Sequence, residues 1–167
     1  MSSQTAIVLV GPMGVGKTTI GKKLAKKLDR SFVDSDVLFT KSHGEISKFF
    51  ETQGEANFRE IESDIVISQL GEPVVLATGG GAVLNERTRQ AFAIAKVIYL
   101  STDGKHIGSR LRNGNRPLLK NGVSDWRAIY EARRGLYEQV ADITIDTSSA
   151  SLQTTIEAIT EELKKFD

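Results

Sequence analysis

The sequence contains no cysteine and only two histidines among its 167 residues, and these shortages narrow the chemistry open to the protein. Without cysteine there is no disulfide, no thiol nucleophile and no cysteine-ligated metal, which is compatible with a reducing compartment. His43 and His106 are too far apart in the chain to suggest a metal site, and we interpret both as surface residues.

An excess of charge of one sign is also missing. The chain has 22 lysines and arginines against 21 aspartates and glutamates, a net charge of +1, so no strong field predicts nucleic acid or an anionic membrane as a partner. No apolar run approaches the roughly 20 residues that span a bilayer, and residues 1–5 leave no room for a signal or transit segment. We expect one domain over residues 1–167, monomeric and cytoplasmic.

Short β-rich runs alternate with longer helical patterns along the whole chain, which predicts an α/β fold. Five strands joined by helical crossovers predict a parallel sheet covered by helices on both faces, with ligands at the carboxyl ends of the strands. The strands are predicted at residues 6–10, 32–33, 74–77, 97–100 and 143–145. Asn85, Ser124 and Ser151 are predicted as helix N-caps, and Ile61, Ile65, Ile67 and Leu70 as one buried helix face.

Residues 11–18, GPMGVGKT, follow the first predicted strand and fit the phosphate-binding pattern G-x-x-x-x-G-K-[ST]. Glycines let consecutive backbone N–H groups wrap a phosphate at a helix N-terminus. Lys17 adds a positive charge for the β- and γ-phosphates, and Thr18 offers a hydroxyl to Mg²⁺. The alternative is an ordinary glycine-rich turn between a strand and a helix.

Asp34 and Asp36 follow the second predicted strand, where alternate positions face the same side. Beside a bound nucleotide, one carboxylate can hold the water shell of the metal while the other orients or deprotonates an attacking hydroxyl. The alternative is that Asp34 or Ser35 caps a helix starting near Val37.

Three glycines, Gly79, Gly80 and Gly81, follow the third predicted strand. Such a run is costly in chain entropy and makes sense where another group approaches the backbone closely, although a flexible loop is the alternative.

Three arginines have local sequences that fit a surface role as well as a functional one. Arg116 lies in a stretch rich in glycine, asparagine and proline that could be a kinase lid or simply an exposed basic loop. Arg59 and Arg133 lie on predicted helices with acidic neighbours, where a solvated arginine is the ordinary interpretation.

Taken together, these segments resemble shikimate kinase. The resemblance extends from the first strand to at least Asp142 and depends on six motifs in order: GPMGVGKT at 11–18, DSD at 34–36, FR at 58–59, TGGG at 78–81, RPLL at 116–119 and R-x-x-LY at 133–137. It implies a three-layer, nucleoside-monophosphate-kinase-like P-loop fold. It also implies transfer of the γ-phosphoryl group of ATP to the 3-hydroxyl of shikimate, with Mg²⁺ as cofactor.

The resemblance also implies a role for each matching residue. Lys17, Asp36 and Arg116 would be catalytic, and Thr18 and Asp34 would hold the metal. The nucleotide would contact Gly14, Val15, Gly16, Lys17, Thr18, Thr19, Arg116 and either Arg110 or Arg112, one of which would stack on adenine. Shikimate would contact Asp36, Arg59, Gly79, Gly80, Gly81 and Arg133. A lid would span about residues 112–122, and the substrate-binding helices about residues 36–62.

Three other functions fit parts of the pattern. A related small-molecule kinase, such as one for gluconate, shares the phosphate-binding loop but should lack the triple glycine combined with Phe58 and Arg59. A GTP-binding switch needs an Asn-Lys-x-Asp motif, which is missing from the sequence. A regulatory ATP-binding module does not need the intact set of Lys17, Thr18 and the two aspartates.

Overall fold

The computed structural model describes residues 5–110 and 122–166, except for the side chains of residues 109 and 110. Within these ranges one parallel sheet contains five strands: β1 (Ile7–Val10), β2 (Ser31–Asp34), β3 (Val74–Ala77), β4 (Lys96–Ser101) and β5 (Ile143–Asp146). Their order across the sheet is β2-β3-β1-β4-β5. Because β1 lies between β3 and β4, the loops after β1, β2 and β3 meet at one side of the carboxyl edge.

Eight α-helices lie in the same two segments, and the longer ones cover the faces of the sheet. They are α1 (Lys17–Lys27), α2 (Ser35–His43), α3 (Ile46–Gln53), α4 (Glu55–Gln69), α5 (Glu86–Ala91), α6 (Ile107–Arg110), α7 (Val123–Val140) and α8 (Leu152–Lys164). Short 3₁₀ turns at Ala82–Leu84 and Phe92–Ile94 flank α5.

Alternate residues of β1 fill two separate cores, one on each face of the sheet. Ile7 and Leu9 pack with the apolar side chains of α1 and α8. Val8 and Val10 pack with side chains of α4 and α7, among them the only tryptophan, Trp126. A strand buried on both faces explains the continuous apolar run at this point of the sequence. The predicted three-layer α/β architecture is therefore confirmed.

The predicted strands are all present, and most helix boundaries agree within a few residues. Asn85 and Ser151 cap α5 and α8, with their side chains accepting hydrogen bonds from the backbone N–H groups of Arg87 and Thr154. The prediction for Ser124 was wrong, because α7 begins at Val123 and its N-cap is Gly122, two residues before Ser124. In the part of the chain that the structure covers, no helix is both long and apolar enough to span a membrane.

The predicted buried face of α4 was largely wrong. Ile61, Ile65 and Ile67 are only half-buried, whereas the residues of α4 that face the core are Phe58, Glu62, Ser63 and Val66. Of the predicted residues, Leu70 alone is fully buried. The face of α4 that is actually buried includes the carboxylate of Glu62, which lies near the carboxyl edge of the sheet.

Candidate active site

The loop between β1 and α1 has the backbone of a phosphate-binding loop. Gly14 and Gly16 adopt φ values of 80° and 104°, which side chains other than glycine rarely tolerate. Lys17 begins α1 and donates from Nζ to the carbonyl oxygens of Gly11 and Pro12, at 2.6 and 2.8 Å. Because α1 has no acidic residue in its first turn, its N-terminus is well suited to an anion.

Asp34 is the N-cap of α2, the alternative given above for this residue, and each of its two carboxylate oxygens has its own partners. One carboxylate oxygen caps α2 by accepting from the backbone N–H groups of Asp36 and Val37, at 2.9 and 3.4 Å. The other accepts from the Thr18 hydroxyl at 2.9 Å. The cap fixes the carboxylate, and the second bond places it beside the first turn of α1.

A cavity of about 500 Å³ opens over these groups at the carboxyl edge of the sheet. The predicted segments after β1, β2 and β3 all line it, including Asp36, Thr78, Gly79 and Gly80. The segment after β5 completes the wall with Thr147, Ala150, Leu152 and Thr155, which the sequence analysis did not include. Gly14, Val15, Gly16, Thr18 and Thr19, which were predicted to bind the nucleotide, line the cavity as well.

The triple glycine lies where charged side chains press against the backbone. A Cβ on Gly79 would lie 2.8 Å from Glu62 Oε2 and 2.9 Å from Asp36 Oδ1, and one on Gly81 would overlap the Arg59 guanidinium. No side chain fits at either position without displacing these groups. Gly79 and Gly81 are therefore explained by side chains that approach the backbone closely, the first of the two interpretations given above.

Arg59 is not a solvated surface arginine, since only 14% of its side chain is exposed. Its guanidinium donates to Glu62 Oε1 at 3.0 Å and pairs with Glu55 Oε2 at 3.2 Å. The group also lies over the Phe58 ring, 5.1 Å from its centroid. Acidic partners on its own helix were expected, but here they hold the guanidinium over Gly81 rather than in solvent.

Arg133 is 6% exposed and forms no ion pair with any described residue. Burial lowers its pKa, and the positive charge of Arg59 lowers it further. A Cβ on Gly80 would lie 3.6 Å from Arg133 Nη1, so both guanidinium groups face the triple-glycine loop. Two cations close together, one of them buried without an ion pair among the described residues, are an arrangement that could bind an anion.

Glu62 is a buried carboxylate that the sequence analysis missed. Arg59 binds its Oε1, but Oε2 has no hydrogen-bond partner among the described residues. Burial raises the pKa of Glu62 to about 7, the nearby charge of Asp36 also raises it, and Arg59 opposes the shift. Phe58, Glu62 and Val66 are spaced four residues apart, so an apolar stripe interrupted by one acid was the available signal.

A family model described as shikimate kinase matches residues 13–164. The chain belongs to the shikimate kinase family. A shikimate kinase of Streptomyces coelicolor is 44% identical over 149 residues, which cover 87% of each chain. One from Mannheimia succiniciproducens is 42% identical over an alignment of 176 positions, covering 100% of this chain and 99% of the relative.

Solved structures agree with the family. The shikimate kinase of Acinetobacter baumannii in complex with shikimate superposes with a TM-score of 0.90 at 36% identity, covering 98% of this chain and 94% of that one. A gluconokinase from Sinorhizobium meliloti has a TM-score of 0.64 at 16% identity, which shows a shared fold alone. The predicted family, P-loop kinase fold and enzyme class are therefore confirmed, and the gluconokinase is the more distant structural neighbour.

Part of the shikimate kinase pattern lies outside the described residues. Arg112 and Arg116 belong to that part, as do nearly all of the predicted lid and the side chain of Arg110. Their roles stay predictions. Arg134, the neighbour of Arg133 on α7, lies in a different environment, because it is 44% exposed and pairs with Glu131 at 2.9 Å.

Proposed function

We propose that this chain transfers the γ-phosphoryl group of ATP to the 3-hydroxyl of shikimate, with the residues of the candidate site in the roles given below. Membership in the shikimate kinase family supplies the reaction, ATP-dependent phosphorylation of shikimate. The observation that carries the residue assignment is the pair Arg59 and Arg133, where the buried Arg133 has no acidic partner among the described residues.

The phosphate end of the cavity would hold the nucleotide. The backbone N–H groups of residues 14–19 would surround the β- and γ-phosphates, and Lys17 would neutralise the charge that develops during transfer. Lys17 already lies against the loop carbonyls, so it is held close to this position before ATP arrives. The resemblance implies two further nucleotide contacts. The lid would bring Arg116 to the nucleotide, and the adenine would stack on Arg110 or Arg112.

Thr18 and Asp34 would hold Mg²⁺ between the protein and the phosphates. Mg²⁺ prefers oxygen ligands, keeps several waters and needs few protein groups, so a hydroxyl and a carboxylate 2.9 Å apart suit it. The described residues contain no cluster of three or more His, Cys, Asp or Glu side chains that would suit a metal held by protein ligands alone. Bound there, Mg²⁺ would reduce the negative charge that the incoming hydroxyl meets.

Shikimate would bind at the triple-glycine loop, where Gly79 and Gly80 line the cavity and the guanidinium groups of Arg59 and Arg133 lie close by. Arg59 and Arg133 would bind its carboxylate through paired N–H donors, and the Gly79–Gly81 backbone would donate to a ring hydroxyl. Asp36, at the first turn of α2 and beside Gly79, would accept a hydrogen bond from the reacting hydroxyl. Asp36 would then orient this hydroxyl or take its proton as the phosphoryl group arrives.

We propose a monomer that acts in the cytoplasm on ATP and shikimate, with no nucleic-acid or membrane partner. The balanced charge of the chain supports the absence of a nucleic-acid partner.

The test is release of ADP by the purified chain with Mg·ATP and a panel of hydroxy acids that includes shikimate and gluconate. We expect turnover that depends on shikimate, with ³¹P–¹H correlation placing the phosphate on the 3-hydroxyl. The Lys17→Met variant serves as the control for contaminating kinases. Preferential turnover of gluconate, or phosphate at another hydroxyl, would overturn the proposal.

A further inference from the structure

One buried face of α7 runs past both loops that form the cavity. Trp126, Tyr130, Arg133 and Tyr137 are spaced by four, three and four residues, so they form a single stripe along the helix, and all four are buried. The resemblance gives a substrate role to Arg133 alone. The aromatic residues at the two ends of the stripe make hydrogen bonds that the proposed function has not used.

Trp126 donates from its indole Nε1 to the backbone carbonyl of Met13, 2.7 Å away. Met13 lies within the phosphate-binding loop, 113 positions from Trp126 in the chain. The indole is 1% exposed and packs against Tyr130, with ring centroids 5.2 Å apart. Gly104 borders it so closely that a Cβ there would lie 2.8 Å from the indole, so a larger residue at this position would displace the ring.

Tyr137 makes the corresponding contact with the glycine loop. Its hydroxyl donates to the carbonyl oxygen of Gly80 at 2.5 Å. The same helix face therefore holds one carbonyl of the phosphate-binding loop and one of the triple-glycine loop.

The direction of a carbonyl fixes the direction of the next N–H. A peptide group is planar and trans, so its C=O and N–H point in opposite directions. With the Met13 carbonyl held toward Trp126, the N–H of Gly14 points away from α7. Gly14 lines the cavity over the phosphate-binding loop, whereas Trp126 does not.

We propose that Trp126 is a positioning residue for ATP: by holding the Met13 carbonyl, it orients the Gly14 N–H toward the phosphates. The inference rests on the proposed function for its substrate and goes beyond it in assigning a residue of α7 to the nucleotide. Tyr137 provides the contrast, since its bond is to the loop proposed to bind shikimate.

The experiment removes the indole N–H while keeping the shape of the ring. Because the chain has a single tryptophan, growth on β-(3-benzothienyl)alanine replaces Trp126 alone. Growth on 5-fluorotryptophan keeps the N–H and is the matched control. Trp126→Phe is the genetic counterpart, and thermal unfolding verifies that each protein is folded.

We expect the benzothienyl protein to lose fivefold to tenfold in kcat/KM for ATP, roughly the effect of one hydrogen bond, with the KM for shikimate changed less than twofold. ADP affinity, measured by calorimetry, should fall by a similar factor. Tyr137→Phe should instead lower kcat/KM for shikimate, with the KM for ATP changed less than twofold. Tyr130→Phe removes a buried hydroxyl that bonds to Tyr99 at 2.6 Å, and it should leave the KM for both substrates unchanged.

Two results would overturn the inference: unchanged ADP affinity in the benzothienyl protein, or an equal loss for both substrates, which a general structural role would produce. Because ADP binding needs no turnover, the result is independent of the proposed function. If the unmodified chain failed to phosphorylate shikimate while loss of the indole N–H still weakened ADP binding, the proposed function would fall and the role of Trp126 would stand.

Discussion

Thr18 Oγ1 donates to Asp34 Oδ2 across 2.9 Å, which joins the first turn of α1 to the residue that caps α2. The contact connects two motifs that lie 16 positions apart in the chain. One Asp34 oxygen serves the fold and the other faces the proposed metal position. The two functions of this carboxylate can therefore be separated by substitution.

Asp34→Asn should keep the helix cap and lose the charge. Asparagine caps helices about as well as aspartate, so we expect the free energy of unfolding to change by less than about 0.5 kcal/mol. The Mg²⁺ concentration for half-maximal activity should rise about 10- to 100-fold. Asp34→Ala should show the same Mg²⁺ effect and lose about 1 kcal/mol of stability as well. An unchanged Mg²⁺ requirement in both variants would remove Asp34 from the metal site.

Lys17→Met should lower kcat by about 1000-fold or more, because the side chain neutralises charge that grows during phosphoryl transfer. Steady-state ADP release measures the loss, and circular dichroism checks that α1 is intact. Lys22→Met changes an exposed lysine on the same helix and should keep normal turnover. Turnover within tenfold of the unsubstituted chain would exclude Lys17 from the mechanism.

The sheet could be predicted from the sequence because buried parallel strands have a strong local signal. Residues 74–77 were predicted as a strand with the observed ends, and the run at 6–10 differs by one residue. The start of α7 was harder, since Ser124 is a good capping residue by type while the chain uses Gly122. Side-chain preference for a cap is weak when tertiary packing fixes the end of a helix.

Most of the site could also be predicted, since the glycine and aspartate motifs follow strands whose carboxyl ends meet. The burial of charged residues was not predicted, because hydrophobic periodicity counts only apolar positions. Arg133 and Glu62 both interrupt stripes of large apolar residues, and each is buried by the helices and loops around it. A charge inside such a stripe was the signal that would have found them.

Arg133→Met should weaken shikimate binding without weakening the fold. Arg133 is buried without an ion pair in the described part of the chain, so an apolar side chain of similar length should leave the free energy of unfolding unchanged or raise it by about 1 kcal/mol. Loss of one carboxylate contact should cost about 2–5 kcal/mol in shikimate binding and spare the KM for ATP. Calorimetric titration with shikimate measures this difference.

Arg134→Met is the matched control for that experiment. Arg134 is exposed and pairs with Glu131 on the same helix, an interaction worth a few tenths of a kcal/mol. Both substrates should bind the control normally. Equal losses in the two variants would mean that the charge of α7 as a whole, rather than the buried guanidinium, attracts shikimate.

Glu62 should make stability depend on pH in a defined window. Its pKa is raised from 4.5 to about 7, chiefly by burial, so the folded chain keeps a proton that the unfolded chain releases. The stability gained from this proton is fully present below pH 4.5 and is lost as the pH rises to about 7. The Glu62→Gln variant has no group to titrate at this position. The free energy of unfolding of the unsubstituted chain, minus that of the variant, should therefore fall by about 3 kcal/mol between pH 4.5 and about 7.

Urea unfolding between pH 4 and 8, followed by the fluorescence of Trp126, measures this difference. Glu60→Gln is the control on the same helix, because Glu60 is 67% exposed and its side-chain partners, Arg87 and Asn85, contact it at the surface. Its difference should stay flat. A flat difference for Glu62→Gln as well would mean that Glu62 is ionised in the folded protein throughout the range, and that Arg59 outweighs the cost of burying the carboxylate.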